Sequence, residues 1–192
     1  MADAEKELPE VYLQPGEVHL ARIPAVLKTI LGSCVGITFW VPRLGLGALC
    51  HGVLPRCPPG VGGAEGYRYV DFAIRELVEQ LERLGSQRGE IQIKVFGGAD
   101  VLPGHEAAIG RATVGRQNSE CALAVLEVQG LRIAASDLGG AAGRAIHFYT
   151  ETGEVLLRRL SQLNAEDETP QRRLSGDSGA SSGAGKGTAA NG

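Results

Sequence analysis

A mixed α/β domain with more strand than helix is the fold class this sequence predicts, on three observations. Val35 to Val41 (Val-Gly-Ile-Thr-Phe-Trp-Val) is a run of β-branched and aromatic residues stopped by Pro42, as in a buried strand. Val70, Ile74, Leu77, Val78, Leu81 and Leu84 recur at helical spacing, with Arg75, Glu76, Glu79, Glu82 and Arg83 on the opposite face. Elsewhere, strand-like segments outnumber helical ones.

In chain order, Val11 to Arg22 holds short extended segments around the Pro15-Gly16 turn, and Val26 to Leu31 leads into Gly32-Ser33-Cys34. Leu46 to Leu54 is a further apolar segment stopped by Pro55, and Arg43-Leu44-Gly45 is short enough to join it to Val35–Val41 as a hairpin. Arg56 to Gly66, with two prolines and four glycines, is a loop. The first helix follows, with a favourable Glu79/Arg83 pair and Gly85 placed to end it. Ile91 to Phe96 is a strand ending in Gly97-Gly98. A second helix runs from near Ser119 to Gln129, with Asn118 as N-cap and Gly130 as terminator. Strands at Leu131–Ser136, Ala145–Thr150 and Glu154–Leu160 complete the set, the last two a hairpin turned at Glu151-Thr152-Gly153.

A chain of 192 residues, 43% of them hydrophobic, suffices for one domain and a real core. Residues 1–8 read as a flexible N-terminus and 9–164 as a single domain. Residues 165–192, rich in Gly, Ser and Ala, read as a disordered tail, because such a segment buries too little to offset its ordering entropy. A net charge of −3 gives no nucleic-acid signature. Met1 to Glu10 is acidic and lacks the apolar core of a secretory signal, and no run approaches the roughly 20 apolar residues that span a bilayer. Four cysteines without a disulfide framework suit a cytoplasmic protein with reduced thiols, and no membrane insertion is expected.

The chemistry concentrates in one pair. Cys34 sits at a glycine-permitted bend, Gly32-Ser33-Cys34, and His51 ends the next apolar segment 17 residues later. A thiol near an imidazole is the core of an acyl-transfer site, since the imidazole can activate the sulfur and then protonate a leaving amine. The Cys34 backbone N–H could serve as an oxyanion donor. Thr29, on the preceding strand, could hold one ring nitrogen through its hydroxyl or its carbonyl. A cysteine in an apolar run is nonetheless more often a small core residue, the reading that also fits Cys50 and Cys121, with Cys57 a loop thiol. His19, His105 and His147 read as surface or loop residues. A zinc site from Cys34, Cys50, His51 and Cys57 matches no usual ligand spacing, so neither metal nor cofactor is expected. Residues alone leave a thiol enzyme and a binding module both open.

Several segments resemble the CheD family, the chemoreceptor glutamine deamidases. They are Thr29-Ile30-Leu31-Gly32-Ser33-Cys34-Val35-Gly36, Gly47-Ala48-Leu49-Cys50-His51-Gly52-Val53-Leu54-Pro55, Tyr67 to Ile74, Lys94 to Ala99, Gly115-Arg116-Gln117-Asn118, and Asp137-Leu138-Gly139-Gly140 with Arg144. The resemblance runs from about Pro15 to Leu160 in the family's order. It implies a layered α/β/β domain with two main helices, and hydrolysis of selected glutamines in methyl-accepting chemotaxis receptors. It implies Cys34 as nucleophile, His51 as general acid and base, and Thr29 as third member, with Ser33, Gly32, Gly97, Gly98 and Asn118 toward the substrate. The partners it implies are receptor helices and a CheC-type phosphatase. The alternative is a non-catalytic adaptor that binds a phosphatase or receptor.

Overall fold

A computed structural model describes residues 7–100 and 112–160. The expectations for residues 1–6 and 161–192, and for His105, lie outside the described residues. Among the described residues nine strands and three helices follow in the order β1 (Glu10–Tyr12), β2 (Val18–Ala21), β3 (Val26–Leu31), β4 (Val35–Val41), β5 (Leu46–Gly52), α1 (Gly63–Gly66), α2 (Val70–Arg83), β6 (Gln92–Gly97), α3 (Val114–Val128), β7 (Ile133–Leu138), β8 (Gly143–Tyr149) and β9 (Val155–Leu160).

Two mixed sheets and a helical layer stack face to face. A five-stranded sheet has the order β2-β5-β4-β6-β7 and a four-stranded sheet the order β1-β3-β8-β9. The β1–β3 and β6–β7 pairs are parallel, the rest antiparallel. Alternation along β4 explains the layering. Val35, Ile37, Phe39 and Val41 pack with Ile74, Leu77 and Leu81 of α2 and with Ala122 and Leu126 of α3. Trp40 packs the opposite way, against the core that Leu27, Leu31, Ile146 and Phe148 of the four-stranded sheet make with Leu49 and Phe96. The order of layers is therefore helices, five strands, four strands, the α/β/β arrangement expected.

The β4–β5 hairpin turns through a 3₁₀ turn at Pro42–Leu44 and closes with Gly45 at φ 62°. The helix expected from near Ser119, α3, departs from expectation. It starts at Val114, and its cap is Thr113, whose hydroxyl accepts from the Arg116 N–H at 3.2 Å. Asn118 lies inside the helix and is fully buried, so it is not the N-cap. The first turn, Val-Gly-Arg-Gln-Asn, carries no apolar repeat because its inner face meets backbone. A Cβ on Gly115 would stand 2.6 Å from the Ala99 carbonyl and 2.7 Å from that of Gly98. β7 runs two residues later at each end than expected, since its register is set by parallel pairing with β6.

Candidate active site

Cys34 and His51 arrive from adjacent strands on one face of the five-stranded sheet. In β5, Cys50 packs toward the helices and Leu49 toward the four-stranded sheet, so alternation turns His51 toward the four-stranded sheet as well. Val35 faces the helices, and Cys34, just before it, packs into the core between the sheets. Gly36 pairs directly with His51, which makes Cys34 and His51 diagonal neighbours, a relation within side-chain reach. Cys50 and His51 leave opposite faces of β5, so the two cannot share a zinc ion.

Thr29 comes from the other sheet, on the inward side of β3 between Leu27 and Leu31. Its hydroxyl donates to the Leu13 carbonyl at 2.8 Å, and its Oγ1 is also 2.8 Å from His51 Nδ1. A carbonyl only accepts, so the single hydroxyl proton lies toward Leu13. Nδ1 therefore carries a hydrogen and donates it to Thr29, and the lone pair sits on Nε2. The tautomer is fixed by a threonine and a carbonyl, with no carboxylate involved. The turn after β1 holds the backbone too. Gly16 N–H donates to the His51 carbonyl at 2.8 Å, and His51 N–H donates to the Glu17 carbonyl at 2.9 Å. Sequence reasoning identified the Pro15-Gly16 turn but not Leu13, Gly16 or Glu17 as holders of the imidazole. Their role is played by backbone atoms, which leave no side-chain signature.

Burial governs the charge state. His51 is 2% exposed, and desolvation brings its pKa down to about 4 against the opposing pull of the Leu13 carbonyl and the Glu17 carboxylate. Burial pushes the half-buried Cys34 thiol up, against a smaller lowering by its own backbone N–H. Both shifts favour a thiol and a neutral imidazole as the resting pair at neutral pH. Nε2 is buried and has no hydrogen-bond partner among the described residues, Cys34 Sγ included. Cys50, wholly buried, is pushed up to about 12 by desolvation.

The bend that carries Cys34 is held from behind. Three successive carbonyls turn inward: Gly32 accepts from Ala99 N–H at 2.9 Å, Ser33 from Asn118 Nδ2 at 3.0 Å, and Cys34 from Gly98 N–H at 2.8 Å. Among the described residues the Ser33 backbone N–H donates to no backbone acceptor, and that of Cys34 faces only its own sulfur. Gly97 adopts φ 106°, and a Cβ there would stand 2.2 Å from the Cys34 oxygen, so only glycine fits. Of the five residues expected near substrate, Gly32 and Ser33 are half-buried on the bend itself. Gly97, Gly98 and Asn118 are buried behind it. Arg144, 1% exposed, donates to Asp137 Oδ1 and to the Gly139 carbonyl, both at 2.6 Å. Gly139 N–H in turn donates to the Gly97 carbonyl at 2.9 Å, which ties this loop to the same turn.

The family model for CheD chemotactic sensory transduction matches residues 53–159. The probable chemoreceptor glutamine deamidase CheD 2 of Geobacter sulfurreducens is 42% identical over 166 residues, covering 86% of this chain and 99% of its own. The chain belongs to the CheD family. The probable chemoreceptor glutamine deamidase CheD of Maridesulfovibrio salexigens is 34% identical, covering 84% of this chain and 98% of its own. That of Archaeoglobus fulgidus is 39% identical, covering 78% and 92%. The CheD family model begins two residues after His51, so the Cys34 and His51 segments lie outside its match. The alignment with the Geobacter CheD leaves too little of the chain uncovered to miss them. No helix among the described residues is long and apolar enough to cross a membrane.

Proposed function

We infer that this protein hydrolyses selected glutamine side chains of chemotaxis receptors to glutamate in the cytoplasm, with Cys34 as nucleophile and His51 as general base and acid. The observation that carries this reading is the Thr29–His51 hydrogen bond, which leaves the Nε2 lone pair on the sheet face where Cys34 stands. When a glutamine carboxamide enters, Cys34 Sγ attacks its carbon while Nε2 takes the thiol proton. The outward N–H groups of Ser33 and Cys34 meet the developing oxyanion. The imidazolium then protonates the departing nitrogen, which leaves as ammonia, and a γ-glutamyl thioester remains. Nε2 next deprotonates water, which adds to the thioester; Cys34 leaves and regains its proton, and the carboxylate is released.

A neutral resting pair suits this sequence of steps. The proton moves in concert with attack, and His51, a weak base at rest, becomes a strong acid when the amine must be protonated. Receptor helices are the protein substrate, and a CheC-type phosphatase is the second partner to be tested for binding. That Nε2 makes no hydrogen bond to sulfur is the observation behind a second reading, an adaptor that binds receptor or phosphatase without turnover. Incubation with receptor cytoplasmic fragments from the same genome, read by peptide mass spectrometry and ammonia release, separates the two. Conversion of particular glutamines is expected; binding without conversion on every fragment would leave the adaptor.

Thr29→Val tests how the imidazole is held. The valine keeps the shape but leaves the Leu13 carbonyl and Nδ1 without their shared partner. The expected cost is about 1–3 kcal/mol of stability and about a ten- to hundredfold lower kcat. Thr29→Ser should retain most of both. Equal activity in the valine variant would remove Thr29 from the site.

A further inference from the structure

We propose that Asn118 is a positioning residue whose amide ties the chain bearing Cys34 to the chain bearing His51 and so fixes the spacing between them. The proposal rests on the roles of Cys34 and His51 given above. The backbone ladder between β4 and β5 stops at the Val35/Gly52 pair. One step further out stand Cys34 and Val53, and no backbone hydrogen bond joins residues 32–34 to 53–54. Asn118 Nδ2 fills that gap, donating to the Ser33 carbonyl at 3.0 Å and to the Val53 carbonyl at 2.9 Å. Ser33 precedes the nucleophile by one residue, and Val53 follows the imidazole by two. One NH₂ group thus replaces the missing rung of the ladder at the site of the chemistry.

The residue type fits nothing else as well. Two carbonyl oxygens need two hydrogens from one atom, which among side chains of this length only an amide nitrogen supplies without a charge. The same requirement fixes the amide's orientation, since the reverse would set an oxygen against two oxygens. The consequence is a cost: Asn118 Oδ1 is fully buried and has no donor. A helix interior that served packing alone would be more stable with an apolar residue here, so the orphaned acceptor marks a position kept for its two donors. Packing keeps the amide in place. Gly115, one turn earlier on α3, lies against the Gly98 carbonyl, and Ser119 Oγ donates to the Gly115 carbonyl at 2.9 Å.

Asn118→Ala in the full chain is tested with two probes, receptor-fragment turnover and iodoacetamide labelling of each cysteine across neutral to alkaline pH. The expected result is about a hundredfold lower kcat with KM within about twofold. Labelling of Cys34 should move to lower pH, because the loosened bend admits water, while Cys50 stays protected. Unchanged kcat together with an unchanged Cys34 labelling profile would overturn the proposal. If the wild-type protein converts no receptor glutamine, the deamidase reading falls, and the labelling arm still judges the clamp. Asn118→Asp is the second variant: it keeps the shape and puts acceptors where donors stood. Its kcat should recover in part as pH falls and the new carboxyl gains a proton to donate, a return that misfolding would not give. Cys50 labelling in step with Cys34 in both variants would make Asn118 a residue of general stability and sink the idea.

Discussion

Replacing Cys34 with serine is expected to lower glutamine turnover by at least about a thousandfold and to shift stability by less than about 1 kcal/mol. The size of the loss follows from the charge state of the resting site. A thiol whose pKa is raised by burial can still pass its proton to a neighbouring imidazole as its sulfur forms a bond. A hydroxyl is several powers of ten less acidic, so a base whose own pKa is held down to about 4 takes its proton far less readily. Stability should hold because Cys34 is half-buried and its bend is fixed through three carbonyls, none of which uses the side chain. The measurement is ammonia release from receptor fragments beside the thermal midpoint, with Cys34→Ala as a control for packing. Turnover near the wild-type rate in the serine variant would end the case for a sulfur nucleophile.

The strands and α2 were legible because their side chains alternate or repeat against a core on one face, whereas the short α1 lies in the glycine-rich segment 56–66 that reads as a loop. Val35–Val41 and Val70–Arg83 show this most plainly, and both occur where the pattern places them. The start of α3 was not legible, because Gly115 and Asn118 face backbone carbonyls there, so its first turn looks polar although it is buried. The site divides the same way. Cys34 and His51 stand out as chemically rare types at glycine-flanked positions, and Thr29 as a hydroxyl on an inward strand face. What holds them is mostly backbone: the Leu13, Glu17 and Gly32 carbonyls and the Gly16, Gly98 and Ala99 N–H groups. Every residue type carries the carbonyl and all but proline the N–H, so no sequence pattern marks them. The charge state was hidden for a related reason. Proximity to histidine argues for a thiolate, but the depth at which both groups sit is a property of the two stacked sheets, and desolvation wins.

That depth has a second consequence, in stability against pH. His51 binds a proton in the folded protein only near pH 4, whereas in the unfolded chain an imidazole does so near pH ~6.5. Between those values the unfolded chain holds the extra proton, so acid draws the equilibrium toward it. The contribution is fully present above about pH 6.5 and is lost as pH falls through about 4, amounting to about 3 kcal/mol. Against the roughly 5–15 kcal/mol that holds a domain of this size, that is a large share. Carboxylates titrate in part of the same window, Glu82 and Glu90 among them, both held low by arginine partners. The comparison with His51→Gln removes them, since they are common to both proteins. Urea midpoints taken from neutral pH down to pH 4 should fall more steeply for the wild type, the two curves converging by about 3 kcal/mol over the interval. Activity should follow the same group. The acid limb of kcat/KM is expected well below the ordinary histidine range, because the free enzyme needs Nε2 unprotonated and burial keeps it so. Parallel urea curves for the two proteins, with an acid limb near pH ~6.5, would show instead that His51 meets solvent, and the neutral resting pair would have to be abandoned in favour of an ionised one.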